Sequence, residues 1–370
     1  MQSVDLVHKV ALNLLSGVGN VVAKSLVAYC GGADKVFNCT KTQLEKIPGV
    51  GAYTASTIIA SRSVLQRAEE ELLFIEKNQI TPSFFTDDDY PTRLKNCHDG
   101  PVMLYYQGNA NLNHDKIVSV VGTRTPTPNG KILTEKLIAD LSQSGCLVVS
   151  GLAYGIDITA HKAALDNGLK TIGVLAHGLD KIYPAEHKNY ANKMIQQGGL
   201  LTEHISQTIP DKENFPKRNR IVAGMCDALV VVESKREGGS LITATIANSY
   251  NKDVFAFPGR PNETFSEGCN GLIKLNKATL IENAADLLFM MNWNKPTNSK
   301  PKAAQVTLPI NLSEEENSII KAFSQKNPMH IDEIASIVNQ TVSKTSAQLL
   351  QLEFSNIIRS LPGKMYKLNH

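Results

Sequence analysis

Twice between Ser119 and Asp157 the chain runs a continuous apolar stretch straight into a glycine turn, and few folds accommodate that arrangement. The first junction is SVVGTRTPTPNG, residues 119–130, in which the run Ile117–Val121 meets Gly122, Thr123 and Arg124. The second is LVVSGLAYGID, residues 147–157, in which another run empties into Ser150, Gly151 and Gly155 and a helix opens at Asp157. Unbroken β-branched runs suit strands buried on both faces, so the pattern predicts a parallel sheet in an open α/β domain. Ligands of such sheets lie beyond the carboxyl ends of the strands. Small residues there let an anion approach the main chain, and helix N-termini favour phosphate. Neither junction contains G-x-G-x-x-G, so the pattern does not specify a dinucleotide.

The alternation continues downstream. Strands are expected at Ile117–Val121, 146–150, 171–175, 200–202, 228–233 and 253–257. Helices are expected near 129–142, 158–167, 187–197, from Phe215, 241–250 and 283–291. Met103 to Tyr106 reads as an edge strand. In FPKRNR, Lys217, Arg218 and Arg220 crowd the first turns of a helix, where cations oppose the macrodipole unless an anion lies near. Asn219 adds an amide donor. Ser240 and Thr243 follow Gly238 and Gly239 at another helix start, a further anion site. Asp157 and His161, four residues apart, share a helical face and read as a cap with a packed imidazole behind it. No nucleophile has an evident base, so no catalytic residue is assigned. Several donor-rich loops at one sheet edge suit a chain of phosphates, with Tyr154 available to stack on a base.

Outside this core, residues 1–66 repeat themselves: LNLLSGVGNVVAKSLV, then LEKIPGVGAYTASTII. Each copy has an apolar turn, a G-V-G hairpin and an apolar pair, the pattern of tandem helix-hairpin-helix motifs. The hairpins can offer amides to DNA phosphate or serve packing alone, since few cations flank them (Lys24, Lys41, Lys46, Arg62). Asp87, Asp88 and Asp89 read as capping or solvated acids, and no metal site is expected. Six scattered cysteines without a C-x-x-C pair point to reduced thiols rather than a disulfide framework. No apolar run approaches a membrane span and the N-terminus does not read as a secretion signal, so a cytoplasmic location is expected. The polar, Pro-interrupted stretch 292–309 reads as a linker. Residues 310–370 read as three helices and a wing-like hairpin, and the six acids and six bases from Val306 onward leave this segment neutral. That neutrality favours a protein contact over counterion release from DNA.

Six blocks now stand in order: VGTR at 121–124, SGLAYGID at 150–157 with His161, GLDKIYPAEHKN at 178–189, FPKRNRIVAG at 215–224, GGSLITATIA at 238–247 and DVFAFPG at 253–259. With them the chain resembles the DNA-processing protein A family (DprA, also called Smf). The resemblance implies an α/β fold: an extended Rossmann-like core at 81–291 with an all-α, SAM-like helix-hairpin-helix domain at 1–80 and a winged-helix domain at 310–370. It implies single-stranded DNA binding through the G-[ST]-R loop, here Gly122, Thr123 and Arg124, with no cofactor. It further implies loading of the RecA recombinase during DNA uptake, natural transformation and recombination. Asn356 stands where the family commonly has a small turn residue before the wing. A homodimer is expected through Leu272, Ile273, Leu275, Leu280, Ile281, Leu287, Leu288 and Phe289, more apolar residues than one closing helix needs. The rival reading is a nucleotide phosphoribohydrolase of related fold, whose P-G-G-x-G-T-x-x-E signature fails here at Leu241, Ile242 and Thr245.

Overall fold

The computed structural model describes residues 2–60, 62–293, 312–323, 326–355, 357–361 and 363–368, and divides the chain into two compact units, Met1–Pro296 and Thr297–His370. Of the expected linker, 294–309 lies outside the described residues, as does Asn356.

The first unit opens with helices α1 (Gln2–Leu14), α2 (Asn20–Cys30), α3 (Ala33–Val36), α4 (Lys41–Leu44), α5 (Ala52–Ile59) and α6 (Arg62–Lys77). Gly31, at φ 83°, ends α2 by returning its N–H to the Val27 carbonyl. Thr40 and Gln43 form a capping box that starts α4. The sequence repeat packs on itself: a Cβ at Gly17 would meet Tyr53 of α5, and one at Gly49 would meet Val22 of α2. Each hairpin therefore rests on the helix that follows the other.

Next come β1 (Thr81–Phe84), α7 (Thr92–Lys95), β2 (Met103–Gly108), β3 (Ile117–Val121), α8 (Pro128–Leu141), β4 (Leu147–Gly151), α9 (Ile156–Asp166), β5 (Thr171–Val174) and α10 (Lys188–Gln196). The core continues with β6 (Gly198–Thr202), α11 (Asn214–Met225), β7 (Ala228–Val231), α12 (Gly239–Ser249), β8 (Asp253–Ala256), α13 (Glu267–Lys274), β9 (Thr279–Leu280) and α14 (Ala284–Met290). The nine strands form one sheet in the order β1-β2-β6-β5-β4-β3-β7-β8-β9. From β6 to β9 every pairing is parallel, while β1–β2 and β2–β6 are antiparallel. Ile117, Val149, Ile172 and Leu229 pack on one face and Val118, Val148, Val230 and Phe255 on the other, which is why these strands lack polar alternation.

Three expectations need correction. The strand at Met103 is not at the edge, because β1 covers it. Helix α13 and strand β9 were not expected: they fill the stretch after 257, where the pattern is too short to register. The apolar set at 272–289 divides, with Leu272, Ile281 and Leu287 sealing the core and Leu275, Leu280 and Phe289 exposed.

The N-terminal helices and the sheet share one core, since Leu12, Leu26 and Ile58 cluster with Phe84, Met103 and Tyr105. Polar contacts reinforce it. Lys9 reaches Asp87 at 2.9 Å, Lys24 donates to the Cys97 carbonyl at 3.2 Å, and Asp89 accepts from Ser83 at 3.1 Å. The fully buried Glu71 accepts from the Ser206 amide at 2.8 Å and hydroxyl at 2.5 Å and pairs with Arg67 at 2.9 Å. Cys30 and Cys39, nine positions apart in the sequence, bring their sulfurs to 3.3 Å, and burial pushes the Cys30 thiol up to about 12.

The second unit contains α15 (Glu314–Ala322), β10 (Met329–His330), α16 (Ile331–Ile337), α17 (Val342–Phe354), β11 (Ile358–Leu361) and β12 (Met365–Leu368), with sheet order β10-β12-β11 around Ile319, Phe323, Ile334 and Leu349. Lys344 pairs with Glu315 at 2.6 Å and Lys326 with Glu333 at 2.9 Å. Among the described residues no helix is long and apolar enough to cross a membrane.

Glu71→Ala leaves the Ser206 amide and hydroxyl without their acceptor and Arg67 with the Ser206 oxygens alone. The first unit should lose about 3 kcal/mol of stability, measured by denaturant unfolding of the full chain.

Candidate nucleic-acid interface

Strand order reverses at β3, which has β4 on one side and β7 on the other, so the loops after these three strands open a crevice at the switch point. The loop after β3 is fixed from both flanks. Thr123 N–H donates to the Glu233 carbonyl at 2.8 Å, and its own carbonyl accepts from Ile156 N–H at 3.1 Å. The Glu233 carboxylate accepts from the Thr127 amide at 2.9 Å and hydroxyl at 2.5 Å, while the Thr127 hydroxyl caps α8 by accepting from Gly130 N–H. Gly122 and Gly155 permit the crossing: a Cβ at Gly122 would lie 2.5 Å from Ile156 Cγ1, and one at Gly155 would overlap the Thr123 carbonyl. Gly155 also holds φ +82°, open to glycine at little cost.

Between these loops lies a groove of about 300 Å³, lined by Gly122, Thr123 and Arg124, by Gly151 and Asp157, by Arg218 and Asn219 of α11, and by Lys235, Gly238, Gly239, Ser240 and Thr243. Gly238, Gly239 and Ser240 bring the start of α12 to its wall, where the Leu241 amide is already turned onto the Gly238 carbonyl at 3.0 Å. Arg218 is buried, bonds the Val174 carbonyl, and leaves its Nε without a partner. Burial draws its proton affinity down and the Asp157 carboxylate opposes this, so the guanidinium stays charged. Burial pushes Asp157 up to about 6, against the pull of Arg218. His161 is fully internal, with Nε2 2.6 Å from the Gly151 carbonyl and Nδ1 2.7 Å from the Thr171 hydroxyl, and burial lowers it to about 4.

A smaller pocket of about 90 Å³ adjoins the groove, sharing Arg124, Ala153 and Arg218 with it and adding Tyr154, Tyr183, Phe215 and His177. The Arg124 guanidinium lies over the Phe215 ring at 5.6 Å, and Phe215 meets Tyr183 at 5.9 Å between centroids. Tyr154 is half exposed, donates to Glu186 at 2.9 Å and sets its ring edge against His187. His177 Nδ1 sits 2.8 Å from the Gly178 carbonyl, which makes Nδ1 the protonated nitrogen and leaves buried Nε2 as an unpartnered acceptor.

Of the residues expected at the site, Gly122, Thr123, Arg124, Gly151, Arg218, Asn219, Ser240 and Thr243 line the groove and Tyr154 the adjoining pocket. Three are not brought there. The Ser150 hydroxyl is buried on the Val120 carbonyl at 2.6 Å. Lys217 projects into solvent near Glu213. Arg220 leaves α11 on the opposite side, in an ion pair with Glu203 at the end of β6. Asp157 is not the helix cap, because α9 begins at Ile156 with Gly155 in the cap position. Phe215, Tyr183, Lys235 and His177 went unnoticed in the sequence, although Phe215 stands three residues before Arg218 and so shares its helix face. At Thr245, where the rival enzyme signature needs an acid, the hydroxyl donates to its own helix at Leu241 O, 2.9 Å away.

Residues 81–292 match the family model "DNA recombination-mediator protein A", residues 301–364 the model "DprA winged helix domain", and residues 32–61 a helix-hairpin-helix motif. Protein Smf of a Synechocystis strain is 31% identical over 99% of this chain and all of its own length. The X-ray structure of DNA processing protein A from Streptococcus pneumoniae superposes with a TM-score of 0.67 at 32% identity, covering 76% of this chain and 97% of that one. A structure of DNA processing protein A from Helicobacter pylori, described for its single-stranded DNA binding mode, gives a TM-score of 0.53 at 31% identity over 58% of this chain and 96% of that one.

The two buried titratable groups act on stability in opposite senses. His161, lowered from 6.5 to about 4, withdraws stability as pH falls through that interval, because the unfolded chain binds the extra proton. Asp157, raised from 3.8 to about 6, returns stability as pH falls through its own interval, because the folded chain binds the proton. The unfolding free energy of Asp157→Asn should therefore drop more steeply than wild type between about pH 6 and 4. Parallel slopes in denaturant titrations would contradict the assignment.

Proposed function

The chain belongs to the DNA recombination-mediator protein A family, and on that premise we propose that its groove binds single-stranded DNA without catalysing a reaction on it. The observation that carries this reading is the Arg124 guanidinium lying over Phe215 at the mouth of a glycine-lined groove. Gly122, Gly238 and Gly239 let a phosphate oxygen approach the main chain beside Arg124 and the start of α12. Phe215, Tyr183 and Tyr154 offer π-faces that only an unpaired strand can use, because a duplex hides the faces of its bases. The single-stranded DNA binding described for the Helicobacter pylori relative supports the same reading.

Two further parts of the proposal rest on family resemblance. The bound strand is passed to the RecA recombinase in the cytoplasm, as an intermediate of DNA uptake and recombination. The acting species is a homodimer, in which exposed Leu275, Leu280 and Phe289 at the β9 end of the sheet meet their symmetry mates. Two linked grooves on one strand raise apparent affinity by roughly two to four orders of magnitude.

Mobility shifts with single- and double-stranded oligonucleotides test the core of the proposal. Single strands should bind more tightly. Arg124→Glu should weaken binding irrespective of base sequence and lower the salt slope by about one. Phe215→Ala should lose about 1–3 kcal/mol of affinity for single strands. Equal affinity for both forms, or none, would refute the reading. Phe289→Glu should convert the dimer to a monomer in light scattering, and a wild-type chain that is already monomeric would remove the interface.

A further inference from the structure

A groove rich in donors for an anion also contains one buried acid. Asp157 is 8% exposed and is the only acid among the residues that line the groove. Its Oδ2 and Arg218 Nη1 close on the same point above Gly151, where an added Cβ would lie 2.5 Å from the first and 2.6 Å from the second. The charges acting on it are Arg218 from α11 and Arg124 from the loop after β3, with the Ala153 amide as a hydrogen-bond donor, while the Ser150 hydroxyl beside it is committed to the Val120 carbonyl and the Lys235 amine at the groove wall lies over Phe265. His161, one turn further along α9, stays neutral through burial. The cations and donors favour the carboxylate, but burial outweighs them and leaves the acid balanced at about 6. A phosphodiester entering this space places a like charge beside the carboxylate and displaces water from it. Both effects disfavour the ionised form.

We propose that a single strand entering the groove is accompanied by uptake of one solvent proton at the Asp157 carboxylate, which becomes a neutral acid able to donate a hydrogen bond to a phosphate oxygen. The inference rests on the reading that the groove binds single-stranded DNA, and it names how that binding is regulated. By linkage, affinity is highest in mild acid and falls by up to roughly tenfold per pH unit through the window above the acid's own midpoint. A strand is thus held tightly or loosely according to a group that the strand itself titrates. The Coulombic attraction between Arg218 and Asp157 is partly replaced by pairing between Arg218 and phosphate.

Isothermal titration of the full chain with a thymidine oligonucleotide, at neutral pH in phosphate and in Tris, counts the protons. The enthalpies should differ by the amount expected for uptake of up to one proton, and an infrared difference spectrum on strand binding should lose a carboxylate signal and gain a protonated carboxyl band. Asp157→Asn should bind with little dependence on pH and take up no proton. Binding with equal enthalpies in the two buffers, or uptake that persists in Asp157→Asn, overturns the proton linkage and leaves the groove assignment standing. If Asp157→Asn does not fold, the infrared band of the wild-type chain decides, since a histidine taking up the proton would leave the carboxylate signal unchanged. Absence of binding in every buffer overturns the linkage together with the groove assignment beneath it.

Discussion

Everything at the site depends on a main-chain crossing that excludes side-chain carbon. The loop after β3 passes over the first turn of α9 so closely that a Cβ at Gly122 or Gly155 would occupy space held by Ile156 or by the Thr123 carbonyl. Ile156 in turn is fully buried against Val120 and Val230, so the crossing is locked to the core of the sheet. The two main-chain hydrogen bonds of Thr123, one to Glu233 after β7 and one to Ile156 in α9, join three strand ends into a single rim. Glycine is costly in the unfolded chain, where its backbone entropy is largest. The burial of Ile156 and the satisfied polar groups of the rim offset that cost.

The same absence of side chain at Gly151 admits Arg218 and Asp157. A buried guanidinium is tolerated only where its donors find acceptors, and Arg218 uses the carbonyl at the end of β5 while Asp157 supplies the opposing charge. One donor remains unmatched, and an unpaired buried donor is a standing demand for a ligand acceptor. The stability of the loop and the buried cation beneath the groove are therefore two results of one small-residue arrangement.

How much of this could be read from the sequence follows from which signals survive projection onto one dimension. Strand β3 was bounded correctly, because Ile117–Val121 is apolar on both faces and ends in glycine. The rim glycines and Arg124 were legible for the same reason. Side-chain direction on α11 was not. Lys217, Arg218 and Arg220 stand together in sequence, yet successive helix positions are 100° apart, so Arg218 points under the groove while Arg220 points to Glu203 at β6. The partner that claims Arg220 is 17 residues away in sequence, and nothing local announces it. Tyr183 and His177 join the site from a loop after β5 whose course is set by tertiary contacts, including the Thr202 hydroxyl on the His177 carbonyl at 2.8 Å.

Charge placement assigns different work to the three modules. In the helix-hairpin-helix region Lys9 and Lys24 are consumed in fastening the helices to the core, and in the second unit Lys326 and Lys344 are paired with glutamates. Each of these four lysines must first give up its partner before it contributes to counterion release. The groove itself offers Arg124, Arg218 and Lys235, with Arg218 already buried. So few cations hold a polyanion weakly by charge alone at physiological salt, which on the proposed reading leaves the aromatic faces beside Arg124 to supply the remainder. On the proposed reading, that division of labour selects an unpaired strand over a duplex, because stacking on Phe215 and Tyr183 requires bases that are not already stacked and paired.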